Sequence, residues 1–353
     1  MRIFKVILIN LILIIFLLET VSFLLINFTY LPNGLHTGAV LRADERFSVW
    51  HPKNFKAKLA TKCWESNVQF NSLGLKQTEE IDIKTKKRVA ILGDSMTENL
   101  QLSNDKDFRS KLQYLMPDYE IINFSVASTG LADQIEIYKN LIKKYEIDYL
   151  FLYITPNDIE DNFIDKYRPN RIAYKYDNEK IIKLEKNKEF FKNYNSKYNK
   201  FKRNELLELK KISNFYKIFV YFKYDLLPKL KHNKNNIKKV EDLDYSKNLK
   251  IYKFILKQAE KEIFNDIKTL IFFNLSKTKN YEKPLRAKIM IDLLNKYDFF
   301  YDPYNDSIEF MKNMNKYKFP FLGYECDAHY SEIGIEFLAN YSYKVFKNEY
   351  KNH

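Results

Sequence analysis

Residues 88–95 read Arg-Val-Ala-Ile-Leu-Gly-Asp-Ser, and the fold follows from how that stretch is read. Arg88–Leu92 is a short apolar run that stops at Gly93, the pattern of a strand buried on both faces. The same kind of run returns at Glu120–Val126 (EIINFSV), Asp148–Ile154 (DYLFLYI), Ile267–Phe273 (IKTLIFF) and Phe299–Tyr301. Helical patterns lie between them. Lys106–Met116 is closed by Pro117; Leu131, Ile135, Tyr138, Ile142 and Tyr145 recur at helical spacing. A further helix is expected around Pro284–Lys296. The last begins near Glu332 and carries Ile333, Phe337, Tyr341 and Val345 on one side. Repeated strand–helix units imply an α/β domain with a parallel sheet and helices on both faces. Chemistry in such sheets gathers at the carboxyl ends of the strands.

The rhythm breaks for about a hundred residues after the third strand. Residues 165–240 hold 22 Lys+Arg against 8 Asp+Glu. That equals the whole formal net charge of +14, so the rest of the chain is balanced. The stretch interleaves Tyr and Phe with Lys and Asn and shows no clear strand; Asn204–Tyr224 looks helical. A basic helical insertion is expected there. Of the 59 basic residues 50 are Lys and 9 are Arg, a skew that suggests AT-rich coding bias and lowers the weight of any lysine count. Nucleic acid is therefore not expected as a partner; an acidic glycan, lipid headgroups or plain solvent suit the lysines better.

Apolar residues at 46% and aromatics at 16% suffice for a full core and exclude global disorder. Two cysteines exclude a disulfide-dense scaffold and a cysteine-based zinc site. The five histidines show no metal-ligand spacing, so neither metal nor cofactor is expected. His36 and His51 lie near the amino-terminal apolar run, His232 among lysines, and His353 at the last position.

Val6–Phe28 contains 18 apolar residues in 23, enough to cross a bilayer as one helix. Glu19 opposes this at roughly 2.5–3.5 kcal/mol, which the apolar residues outweigh at about 0.3–0.6 kcal/mol each. A buried core helix is the competing reading. Arg2 and Lys5 precede the run and the next basic residue is Arg42, which implies a cytoplasmic amino terminus and an external body. Residues 1–31 are thus read as an uncleaved anchor and 32–353 as the domain it carries. An external body would permit a Cys63–Cys326 disulfide; two separate thiols remain the alternative.

Gly93-Asp94-Ser95 places a serine at the carboxyl end of the first strand, where its hydroxyl and its own N–H can face one cleft. Asn157 and Asp158 follow the third strand in the same position, as a possible amide donor or as ordinary turn residues. His329 with Asp327 two residues earlier supplies the base and carboxylate that a serine nucleophile requires.

GDSMT at Gly93–Thr97, NFSVASTG at Asn123–Gly130, TPND at Thr155–Asp158 and DAHYSEIG at Asp327–Gly334 resemble the ordered blocks of the SGNH/GDSL hydrolase family. NSLGL at Asn71–Leu75 is similar to a segment of its membrane-anchored bacterial members. The resemblance covers roughly 68–163 and 267–346, not the insertion. It implies a flavodoxin-like three-layer α/β/α fold with Ser95 as nucleophile, His329 as base and Asp327 as its partner, Glu325 being the reserve. The oxyanion hole would comprise the Ser95 N–H, the Asn157 amide and a second-block N–H. The family's glycine in that block aligns best with Ser128, with Gly130 two residues later. The implied activity is an extracytoplasmic esterase acting on acylated carbohydrate or lipid, O-acetyl esters above all. An O-acyltransferase, or a non-catalytic glycan-binding surface protein, would use the same blocks.

Overall fold

The computed structural model describes residues 2–28, 37–61, 63–163, 171–186, 188–199, 213–222, 245–274, 285–314, 322–324 and 327–350. Five parallel strands form the central sheet: β1 (Lys87–Leu92), β2 (Tyr119–Asn123), β3 (Tyr149–Ile154), β4 (Lys268–Phe273) and β5 (Phe300–Tyr301). They lie in the order β2-β1-β3-β4-β5, the flavodoxin-like doubly wound order.

Side chains alternate across the sheet, and both faces are covered. Ala90, Leu92, Leu150, Leu152 and Ile154 join a core with helices Leu131–Asn140, Tyr245–Ala259 and Leu285–Leu294. Val89, Ile91, Phe151, Tyr153 and Phe272 face the other way, onto helices Phe108–Leu115 and Glu332–Tyr350. This is why the strands read as unbroken apolar runs. Each fully buried aliphatic or aromatic side chain contributes about 1.5–3 kcal/mol.

Every strand and helix read from the sequence along this sheet is present, with ends shifted by a few residues. The pattern Leu131–Tyr145 divides into an α-helix to Asn140 and a 3-10 turn at Ile142–Tyr145. Helices Tyr245–Ala259 and Tyr304–Asn313 were not read. The polar stretch before β1 holds two antiparallel pairs, Arg42–Asp44 with Ser48–Trp50 and Phe55–Ala60 with Glu65–Phe70.

The insertion corrects one expectation. Tyr174–Asp177 and Lys180–Lys183 form an antiparallel hairpin where no strand was expected. Its turn residues Asn178 and Glu179 have φ of 47° and 63°, the mirror-image turn that suits strand twist. Helices Lys188–Asn199 and Asn214–Tyr221 lie in the same stretch. Residues 204–212 and 223–224 of the expected Asn204–Tyr224 helix lie outside the described residues. The amino-terminal helix spans Arg2–Phe28, and its Phe4–Ile26 segment has a mean hydropathy of 2.6.

Candidate active site

The chain runs from β1 to β2 on one side, then turns back to β3 on the other. β1 and β3 are therefore the neighbours between which the winding reverses, and the crevice at their carboxyl ends is where doubly wound sheets bind ligands. Ser95 follows β1 and Asn157 follows β3. A Cβ on Gly93 would strike Thr97 Oγ1 and come within 3.1 Å of Tyr153 Cβ, so only glycine lets the chain leave β1 this tightly. Asp94 then caps the short helix Ser95–Glu98, its carboxylate accepting from the Met96 N–H at 2.9 Å.

His329 reaches this point from the strand Asp327–Tyr330. Its Nε2 lies 2.9 Å from Ser95 Oγ and its Nδ1 lies 2.5 Å from Asp327 Oδ1. The other oxygen of Asp327 accepts the Trp64 indole N–H at 2.7 Å. Burial alone would raise the Asp327 pKa. The hydrogen bond and charge of His329, with the indole, outweigh it and hold the carboxyl well below its usual range. Burial likewise depresses His329, but Asp327, with smaller help from Asp94 and Glu98, raises it above its ordinary value. Asp94 itself is pushed up to about 6, chiefly by burial.

Ser128 sits at φ 69°, so the loop adopts the left-handed turn without glycine. The N–H groups of Ser95 and Ser128 have no hydrogen-bond acceptor among the described residues, and both residues line the cleft with Asn157, Arg171 and His329. Gly130 is a correction. Its N–H donates to Asp133 Oδ2 at 3.0 Å and it caps helix Leu131–Asn140, so that donor is committed away from the cleft.

The loop is held from behind by Glu98, His51 and the Asn71–Leu75 turn. Glu98 Oε2 accepts the Ala127 N–H, next to Ser128. Glu98 Oε1 lies 2.6 Å from His51 Nε2, both side chains being buried. The two atoms face each other at that distance without an aligned hydrogen bond. His51 Nδ1 meets the Gly74 carbonyl at 2.9 Å. Gly74, at φ 83°, belongs to the Asn71–Leu75 turn, where Asn71 Oδ1 accepts from the Leu73 and Leu75 N–H groups. NSLGL thus forms a wall behind the loop. The faint sequence signal was Glu98, a carboxylate in an otherwise buried GDSMTEN turn.

Asn157 lies in the cleft with its amide donating to Asp161 Oδ2 at 2.5 Å. Asp161 also pairs with buried Arg171 at 2.6 Å, which fixes the orientation of the amide's second hydrogen. Asp158 is turned inward, accepting from the Thr155 N–H at 3.0 Å, and burial pushes its pKa well up. Glu325 lies outside the described residues. Cys63 is disulfide-bonded, and its expected partner Cys326 lies outside them as well. Among the described residues no group of three or more His, Cys, Asp or Glu is placed to hold a metal ion. The arrangement can transfer a proton from Ser95 to His329 and offers N–H donors beside the same hydroxyl.

No protein-family model and no curated protein matches this chain. Solved structures do. The psychrotrophic esterase EstA from Pseudoalteromonas is 11% identical, with 76% of this chain and 100% of that one covered and a TM-score of 0.39. A mutant of the acetyl-xylooligosaccharide esterase Axe2 from Geobacillus is 13% identical over 76% and 95%, with a TM-score of 0.38. A member of the lipolytic G-D-S-L family from Veillonella parvula is 11% identical over 74% and 98%, also with a TM-score of 0.38. Similarity this distant does not assign chemistry to this chain, which has to be read from its own residues.

Proposed function

We propose that the chain is a serine ester hydrolase of the SGNH/GDSL type, acting on acyl esters of carbohydrate or lipid outside the cytoplasm. The observation that carries this reading is the hydrogen-bonded series Ser95–His329–Asp327 at the switch point of the sheet. His329 takes the Ser95 proton as Oγ attacks the ester carbonyl, and Asp327 stabilises the imidazolium that forms. The Ser95 and Ser128 N–H groups and the Asn157 amide receive the oxyanion. The alcohol leaves with the proton from His329. Water, deprotonated by the same imidazole, then releases the acid and restores Ser95.

The domain is read as residues 32–353, interrupted by the insertion 165–240 and anchored by 1–31. Arg2 and Lys5 before the apolar helix favour an external body, and the disulfide at Cys63 suits an oxidising compartment. A fluorophosphonate probe tests the chemistry directly. The purified full chain should be labelled covalently and Ser95→Ala should not; equal labelling of both would remove Ser95 as nucleophile.

A further inference from the structure

Glu19 is the one acidic residue of the apolar amino-terminal run, and the structure gives it a partner 195 residues away. Ser213 Oγ donates to Glu19 Oε1, and the Asn214 N–H donates to Glu19 Oε2 at 2.8 Å. Asn214 opens helix Asn214–Tyr221, which Ser213 caps. The carboxylate therefore meets the amino end of a second helix, whose unsatisfied N–H groups and dipole favour a negative charge. Ser22 and Ile26 are buried while their neighbours along Phe4–Leu25 are largely exposed. Glu19, Ser22 and Ile26 fall on one stripe at helical spacing, the stripe through which Glu19 meets helix Asn214–Tyr221.

The second helix, NFYKIFVY, is largely apolar. Phe215, Phe219 and the following Phe222 are 41%, 46% and 47% exposed, and their spacing puts them on one side. The sequence flanks them with Lys210, Lys211 and Lys223. Glu19 lies seven residues before Ile26, about 10 Å along the helix, so its partner helix sits at the depth of a lipid leaflet. A helix lying against a membrane-spanning segment at that depth would meet acyl chains on its outer side.

We propose that helix Asn214–Tyr221 is a second membrane element. It docks on the anchor through Glu19 and sets Phe215, Phe219 and Phe222 against acyl chains in the leaflet facing the body. The inference rests on the reading of Phe4–Ile26 as an uncleaved anchor, and the test separates the two.

The full chain is reconstituted into phosphatidylglycerol–phosphatidylcholine vesicles as Phe16→Trp and, separately, as Phe219→Trp. Trp50 and Trp64 are buried in the body and give a constant background. Both added indoles should emit at shorter wavelength, be quenched by acyl-brominated lipid and be shielded from aqueous acrylamide. Glu19→Ala should weaken lipid quenching at position 219 and not at position 16. If only the position-16 probe is quenched by lipid, the anchor stands and this proposal falls. Shielding at position 219 that vanishes as protein is diluted into excess lipid would mean a second copy covers the helix, which also overturns it.

Discussion

The balanced α/β body and the basic insertion treat their aromatic residues in opposite ways. In the body, Phe151, Tyr153 and Phe272 are wholly buried and pack ring on ring between strands β3 and β4. In the insertion, Phe215, Phe219 and Phe222 stay nearly half exposed beside the apolar anchor. The first arrangement makes a rigid platform at whose edge a hydroxyl and an imidazole lie 2.9 Å apart. The second keeps apolar rings partly exposed next to an apolar helix. Reaction chemistry should therefore depend on the body and be indifferent to the insertion's aromatic face, while membrane contact should show the reverse.

The strongest attempt to break this contrast removes the reacting groups. Ser95→Ala or His329→Ala should each lower turnover of a small aryl acetate by roughly 10⁴-fold or more, and the double variant should be little worse. Additive losses would show that the two do not act as a unit. Asn157→Ala should cost on the order of 10²–10³ in turnover, the usual effect of one lost oxyanion donor. Ser128→Gly should keep near-native turnover, because the donor is main chain and glycine accepts the φ of 69° more readily. A collapse of turnover in Ser128→Gly would assign a role to the hydroxyl instead.

A smaller loss is expected one layer out. Trp64→Phe leaves Asp327 Oδ2 without its indole donor, worth about 1–1.5 kcal/mol or roughly tenfold in turnover. It should do so without changing KM, since Trp64 acts through Asp327. The pH profile gives the next effect. His329 must be neutral to accept the Ser95 proton, and its pKa is raised. The acid limb of kcat/KM should therefore lie above pH 6.5, with activity rising as pH rises. Asp94→Asn removes a negative charge that favours the imidazolium, so the limb should move to lower pH. The smallest effect belongs to the insertion: Phe215→Ser, Phe219→Ser and Phe222→Ser together should leave aryl acetate hydrolysis unchanged while weakening vesicle binding. Excision of the whole module is a poorer test, because residue 171 within it pairs with Asp161 behind Asn157.

The sheet was legible because strands buried on both faces carry continuous apolar runs whose order along the chain fixes the winding. Ser95 was legible because it follows the end of a buried strand, and His329 because Asp327 stands two residues before it. Trp64, His51 and Arg171 were not, since their importance lies in contacts across the fold that no local pattern marks. Gly130 misled for a definite reason: a glycine that caps a helix and one that donates to an oxyanion look alike until the acceptor of the N–H is known. The Tyr174–Lys183 hairpin was hidden because neither strand buries one clean face, so the two-residue period never appeared.

The contact between Trp64 and Asp327 spans 263 residues, and that between Ser95 and His329 spans 234. The candidate nucleophile is therefore synthesised well before the candidate base and the carboxylate behind it. Contacts this distant in sequence close late, after the loop between them has been ordered. Until strand Asp327–Tyr330 meets Ser95 and the turn that carries Trp64, the chain holds an ordinary serine alcohol. Ordering of the fold is thus the event on which any reactivity at Ser95 waits.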